Sequence, residues 1–367
     1  MITSVEISKY RGFESFQIGK LARVNLLVGR NNCGKTALLE SVHFLASGGD
    51  PSVLVDVATR RGEYVFGSRE ESGQIDISHF FHGHEVCVGS RFEISGSGGV
   101  YPVVVEATSL GDSEADSELF EYPRSLPPPA LAMRVSCGRG AAIRARTFYL
   151  SEDGALLVDP RRGVHRWFRD ERRAGPSIAF ISPESLVPGA LGGMWNQVLR
   201  EKQEREVREA MGLLEDDLDD IVFQTGESMN RYSPSRSGVL VSFKGDRRRV
   251  PLGSMGDGMR RLLALSISLI NAKGGYLIID EIDTGFHYSI MAKMWALVVK
   301  TAVRNDIQVF ATTHSADCIR GLGVLCDRDP ELRKQVAAHK IERHLKHSVA
   351  LTGSDIMDAV RQDIEIR

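Results

Sequence analysis

The 367-residue chain carries 46 Lys and Arg against 48 Asp and Glu, a balance that gives it no general affinity for nucleic acid or membrane surfaces and leaves only local patches to consider. Cys33, Cys87, Cys137, Cys318 and Cys326 form no CxxC pair and no metal-ligand spacing with histidine, which suits a reduced cytoplasm better than a disulfide framework. No window approaches the roughly eighteen apolar residues of a membrane span, and Met1–Tyr10 does not read as a targeting segment, so no membrane partner is expected.

Ile2, Val5 and Ile7 give a short strand pattern, and Tyr10-Arg11-Gly12-Phe13 reads as the turn after it. A more apolar strand, Arg23–Val28, then runs straight into Gly29-Arg30-Asn31-Asn32-Cys33-Gly34-Lys35-Thr36, with a helical pattern from Ala37 onward. This is the G-x-x-x-x-G-K-T phosphate loop in the strand-then-helix setting that it requires. Its glycines let the backbone N–H groups of the Gly29–Gly34 segment, Asn31 and Asn32 among them, curl around one phosphate. Lys35 would reach the outer phosphates, and the Thr36 hydroxyl would take a place on Mg²⁺.

From Ser47 to Ser125 the texture is β-rich, with short strands at 74–81, 85–88 and 100–106 that suit an antiparallel sheet beside the nucleotide core. Gln74 is either a phosphate-sensing glutamine or an exposed strand residue, and no spacing ties it to the loop. His79, His82 and His84 lack an accompanying carboxylate or cysteine pattern and read as turn residues rather than metal ligands. The acidic, proline-rich 111–129 segment reads as a loop or linker. The arginine-rich 134–173 stretch, with Trp167 and Phe168 interleaved, fits either a solvated face or a nucleic-acid track. Leu191–Ile221 reads as a long helical region interrupted near Gly212.

Val239–Phe243 and Arg249–Val250, with Gly245-Asp246 between them, form a hairpin signal. Behind it, Ser254-Met255-Gly256-Asp257-Gly258 opens an apolar helix, which is a second anion-binding helix start in one chain. Such duplication makes sense if Ser254 and Gly256 complete the nucleotide site of a facing copy. The apolar strand at Tyr276–Ile279 then ends in Asp280-Glu281, where one carboxylate would face hydrated Mg²⁺ and the other a water molecule.

These motifs, with Ile282-Asp283-Thr284-Gly285-Phe286-His287 and Thr312-Thr313-His314-Ser315, make the chain resemble the ABC-type ATPase heads of the RecF, SMC and overcoming-lysogenisation-defect group. The resemblance covers roughly residues 1–50 and 235–320. It implies an α/β P-loop NTPase head with an antiparallel β lobe and an inserted helical lobe. The expected division is 1–125 for the first half of the core, 126–235 for a mainly helical insertion and 236–367 for the second half. ATP and Mg²⁺ are the implied cofactors, with Asp280 and Thr36 on the metal and Glu281 as general base. His314 would sense the γ-phosphate, Asp283 would lie at a dimer seam, and Arg11 would approach the nucleotide.

The implied partners are a second copy, as a homodimer or higher homo-oligomer, and a separately encoded nuclease or toxin effector or DNA, in phage defence or DNA maintenance. A RecF-like DNA-binding repair factor, touching DNA through Arg161 and Arg162, and a low-turnover nucleotide sensor remain alternatives. A Toprim nuclease centre is not expected in the roughly fifty residues after Ser315, although they include one Asp-x-Asp, Asp327-Arg328-Asp329. The signature departs from the serine-rich form of SMC heads, and the glutamine loop has no assigned position.

Overall fold

The computed structural model describes residues 1–65, 74–110, 129–157, 175–183, 188–224, 238–246 and 248–366. The chain divides into two compact units, one built from 1–20, 36–176 and 343–348, the other from 21–35, 177–342 and 349–367. The 111–128 acidic loop and the arginines at 161, 162, 166, 169, 172 and 173 lie outside the described residues.

The first unit is organised on a six-stranded antiparallel sheet in the order Phe13–Ile18, Ser4–Tyr10, Arg91–Ser97, Val103–Thr108, Leu131–Cys137 and Arg144–Leu150. Alternation fixes its register: Val103, Val105 and Ala107 are buried while Val104, Glu106 and Thr108 are half-exposed. The helix Lys35–Ala46 packs on it, with the Phe44 and Phe92 rings 6.4 Å apart. The following helix, Pro51–Arg61, is bounded by local chemistry. Asp50 caps its start by accepting from Ser52 N–H at 3.0 Å, proline occupies the first turn, and Gly62 ends it at φ +66°.

The second unit holds a six-stranded sheet ordered Ile178–Ile181, Tyr276–Ile279, Gln308–Thr312, Val24–Val28, Val336–Lys340 and Val349–Thr352. Neighbours are parallel except for the last pair. All five residues of Val24–Val28 and all five of Gln308–Thr312 are buried, and apart from Asn25, Gln308 and Thr312 they are apolar. The helices Met291–Arg304, Ala316–Arg328 and Gly353–Arg361 supply Trp295, Leu322 and Ile356 to one core, and the Trp295 indole donates to the Cys318 carbonyl at 2.9 Å. A second core joins the helix Asp257–Asn271 to the three-stranded sheet Leu218–Gln224, Gly238–Phe243 and Arg249–Pro251. The last two strands are the expected hairpin, with Gly245 at φ +80° in its turn.

Two expectations differ from what is found. Within 126–235, the described residues 131–137 and 144–150 are strands of the antiparallel sheet rather than helix. The helical region expected over 191–221 is two helices, Pro188–Arg200 and Glu204–Met211, followed by the strand from Leu218. The chain turns between the helices with Lys202 at φ +55°, a left-handed conformation that no continuous helix accommodates. Among the described residues no helix is long and apolar enough to cross a membrane.

Candidate nucleotide-hydrolysis site

The phosphate loop leaves the C-terminal end of Val24–Val28 and needs three left-handed or mirror-region residues, Gly29 (φ +149°), Asn32 (φ +58°) and Gly34 (φ +101°). Gly29 is required twice over, since a Cβ there would sit 2.5 Å from the Ile341 carbonyl oxygen. Lys35 is buried, and its Nζ donates to the carbonyl oxygens of Gly29 and Arg30, both at 2.8 Å. The ammonium thus lies over the loop's own oxygens, inside the curl where phosphate oxygens would compete for it. Asn31 and Asn32 are exposed on the loop, and Thr36 follows Lys35 in the first turn of the helix.

Two strands over from the phosphate-loop strand, the chain emerges from Tyr276–Ile279 into Asp280 and Glu281. Their setting is built by the neighbouring strand. Thr312 Oγ1 donates to Asp280 Oδ1 at 2.5 Å and accepts from the Glu281 N–H at 2.8 Å. Glu281 stands at φ +51°, a conformation that costs a non-glycine residue of the order of 1–3 kcal/mol. Its carboxylate accepts from Thr284 Oγ1 at 3.1 Å and lies 3.5 Å from His314 Nε2. One residue further on, Thr313 Oγ1 donates to Asp283 at 2.5 Å and accepts from the Ser315 N–H at 3.0 Å. Asp280, Glu281, Asp283 and His314 are therefore brought together by two threonines at the end of one strand.

Ser254 and Gly256 lie elsewhere on the same unit, both exposed, in the short turn Leu252–Met255 and at the start of Asp257–Asn271. Gly256 adopts φ +90°. Gly258 packs so tightly on the loop after Asp283 that a Cβ would come within 2.8 Å of the Gly285 carbonyl oxygen. The signature segment thereby abuts the Asp283 loop while keeping Ser254 and Gly256 open to solvent.

Arg11 has carboxylate partners where the resemblance implies a phosphate. It is buried in the first unit with Glu40 at 2.8 Å and Glu63 at 2.8 Å, and its guanidinium stacks 4.4 Å from the Phe80 ring centroid. Burial opposes its charge, but Tyr10, Glu40 and Glu63 hold its pKa above the ordinary arginine value. Gln74 is half-buried in the two-residue strand Gln74–Ile75 of the same unit. The histidine cluster does not assemble a metal centre: His79 contacts Asp76 at 3.3 Å, the His82 ring bonds the Arg11 carbonyl oxygen, and no group of three or more candidate ligands exists among the described residues.

Residues 1–125 match a family model described as "AAA ATPase domain", and residues 190–317 match one described as "AAA domain, putative AbiEii toxin, Type IV TA system". The chain is also 20% identical over 365 residues to an "ATP/GTP phosphatase" of Helicobacter pylori (strain ATCC 700392 / 26695), covering 93% of this chain and 90% of that protein. Two stretches of the chain thus match models of ATPase domains. Solved SMC heads align along almost the whole chain. A head bound to the C-winged helix domain of ScpA gives a TM-score of 0.48 at 11% identity, over 96% of this chain and 98% of that one. A head derived from Pyrococcus furiosus, with an extended coiled coil and bound to the C-terminal domain of ScpA, gives 0.47 at 10% identity over 99% of both.

Sequence reasoning missed three residues that the geometry singles out. Two are Thr312 and Thr313. The third is Arg261, 3% exposed, which donates to the carbonyl oxygens of Ser182 at 2.9 Å, Asp280 at 2.8 Å and Glu281 at 2.7 Å. Its signal was available: a charged side chain on the buried face of an apolar helix needs a fixed set of acceptors.

Proposed function

We propose that the protein binds ATP with Mg²⁺ and hydrolyses it to ADP and phosphate, in a site shared between two copies. The observation that carries this reading is the convergence at one sheet end of a curled phosphate loop with a captive lysine and a paired Asp280-Glu281 fixed by hydrogen bonds from the buried Thr312. The donor set suits the cofactor. A Gly-rich curl supplies backbone N–H groups, and the Thr36 hydroxyl and Asp280 carboxylate are the hard oxygen ligands that Mg²⁺ takes alongside phosphate. When bound, Mg²⁺ neutralises charge on the phosphate oxygens.

Lys35 exchanges the Gly29 and Arg30 carbonyl oxygens for outer phosphate oxygens. Glu281 orients the attacking water and accepts its proton, while His314, 3.5 Å away, faces the same carboxylate and responds to the γ-phosphate. The exposed Ser254 and Gly256 complete the site of the facing copy, and Asp283 lies at the seam. A nucleotide-dependent pair of this kind gates a separately encoded effector in phage defence, a reading supported by the toxin-system wording of the family model over residues 190–317.

The Glu281→Gln variant tests the hydrolytic half of the proposal. It should bind ATP, release phosphate at least about 100-fold more slowly and accumulate as the associated form in gel filtration with ATP. Wild-type phosphate release by this variant would remove Glu281 as the base.

A further inference from the structure

We infer that Thr312 is a positioning residue for hydrolysis, and that its hydroxyl locks the metal-facing and proton-accepting carboxylates into one rigid arrangement. The inference rests on the roles proposed for Asp280 and Glu281. Thr312 is fully buried at the last position of Gln308–Thr312, where its β-branched shape alone would suit a strand end. Its hydrogen bonds go beyond that. A hydroxyl has one proton to give, and Thr312 gives it to Asp280 Oδ1 at 2.5 Å, which fixes the rotor and directs a lone pair at the Glu281 N–H, 2.8 Å away. One atom therefore restrains the side chain of the first acid and the backbone of the second.

The second acid needs that restraint. Glu281 has left-handed backbone geometry at φ +51°, and it persists only where neighbours over-determine it. Thr312 holds its N–H, while its carbonyl oxygen accepts from Arg261 at 2.7 Å and from the Thr284 N–H at 3.1 Å. Arg261 grips the Asp280 carbonyl as well, so the backbone is clamped from the helix side and the strand side together. Of these contacts, the Thr312 hydroxyl alone reaches a carboxylate oxygen of Asp280 and a backbone atom of Glu281 at once. Without it the Glu281 N–H loses its side-chain acceptor, the left-handed turn can relax, and the two carboxylates no longer share a reference point.

The test compares Thr312→Val, which keeps the shape and removes the hydroxyl, with Thr312→Ser, which keeps the hydroxyl. Phosphate release, its dependence on Mg²⁺ concentration, binding of a fluorescent ATP analogue without Mg²⁺, and thermal melting are measured on each full-length variant. Thr312→Val should lower kcat on the order of 100-fold, the scale of a misplaced catalytic group. It should raise the Mg²⁺ concentration for half-maximal rate and leave analogue binding unchanged, while Thr312→Ser should restore most of the rate. In a Glu281→Gln background at saturating Mg²⁺, Thr312→Val should slow the residual rate no further. If valine abolishes the melting transition, Thr312→Ala serves as the hydroxyl-free variant in the same comparison.

A folded, hydroxyl-free variant with wild-type kcat and Mg²⁺ dependence overturns the inference. So does a serine variant as slow as valine. Either result leaves the base assignment standing if Glu281→Gln is inactive, whereas an active Glu281→Gln overturns the base assignment itself.

Discussion

Arg11 in the antiparallel unit and Arg261 in the parallel unit are each at most 5% exposed, yet one faces carboxylates and the other faces carbonyl oxygens. Arg11 completes an ion cluster in which Glu40 is also held by Arg61 at 2.7 Å, so buried charges largely cancel. Arg261 orders the backbone from which two acidic side chains project. The first arrangement resists removal of a member because the remaining charge is stranded. The second fixes the direction of the backbone that carries the proposed metal-facing and base carboxylates, Asp280 and Glu281.

The contrast breaks first at Arg11. Arg11→Met strands Glu63 and half of Glu40, and chemical denaturation should show a loss of about 3–5 kcal/mol. ATP affinity of the folded fraction should be unchanged. A variant of normal stability with weakened ATP binding would instead return Arg11 to the nucleotide.

A smaller effect sharpens the comparison from the side of neutral groups. His339 is fully buried against Asn25, with Nε2 at 3.3 Å from Oδ1, and burial pushes its pKa down to about 4. Burial acts in the same direction on His43 in the other unit, to about 3, aided by Arg60. In both cases the folded state takes up a proton less readily than the unfolded chain, whose histidine titrates near 6.5. The stabilisation is therefore complete above pH 6.5 and is lost as pH falls toward the folded value. For His339 the loss at pH 5 is on the order of 2 kcal/mol. His339→Phe should flatten the difference between pH 7 and pH 5 stabilities by about that amount, and an unchanged pH slope would show that the ring is not held neutral.

Sequence was most legible where local pattern and tertiary setting agree. Val24–Val28, Tyr276–Ile279 and Gln308–Thr312 read as buried parallel strands because both faces are covered and most of their residues are apolar. The phosphate loop and the Gly245 hairpin were readable because glycine marks the positive-φ positions. Leu131–Cys137 was obscured by its arginine-rich surroundings. Arg134 is its exposed member, while Met133 and Val135 on either side of it are buried, so a short alternation was present beneath the charge. The break at Lys202 carries no glycine or proline, and a left-handed lysine leaves no trace in a hydrophobic pattern.

Thr312 and Arg261 illustrate the remaining limit. They lie 32 and 19 residues from Asp280, one on the neighbouring strand and one on a helix. Spacing can propose which acids perform chemistry, but what holds an acid in place depends on which strand the sheet puts beside it.

Sharing of the site between copies is tested most directly by mixing two variants, Lys35→Ala and Ser254→Arg, and measuring phosphate release. Each should be inactive alone. In a mixed pair the two defects fall in one site and leave the other intact, so equimolar mixing should restore about a quarter of wild-type activity. Full hydrolysis by Ser254→Arg alone, or a mixture as inactive as its components, would contradict a shared site.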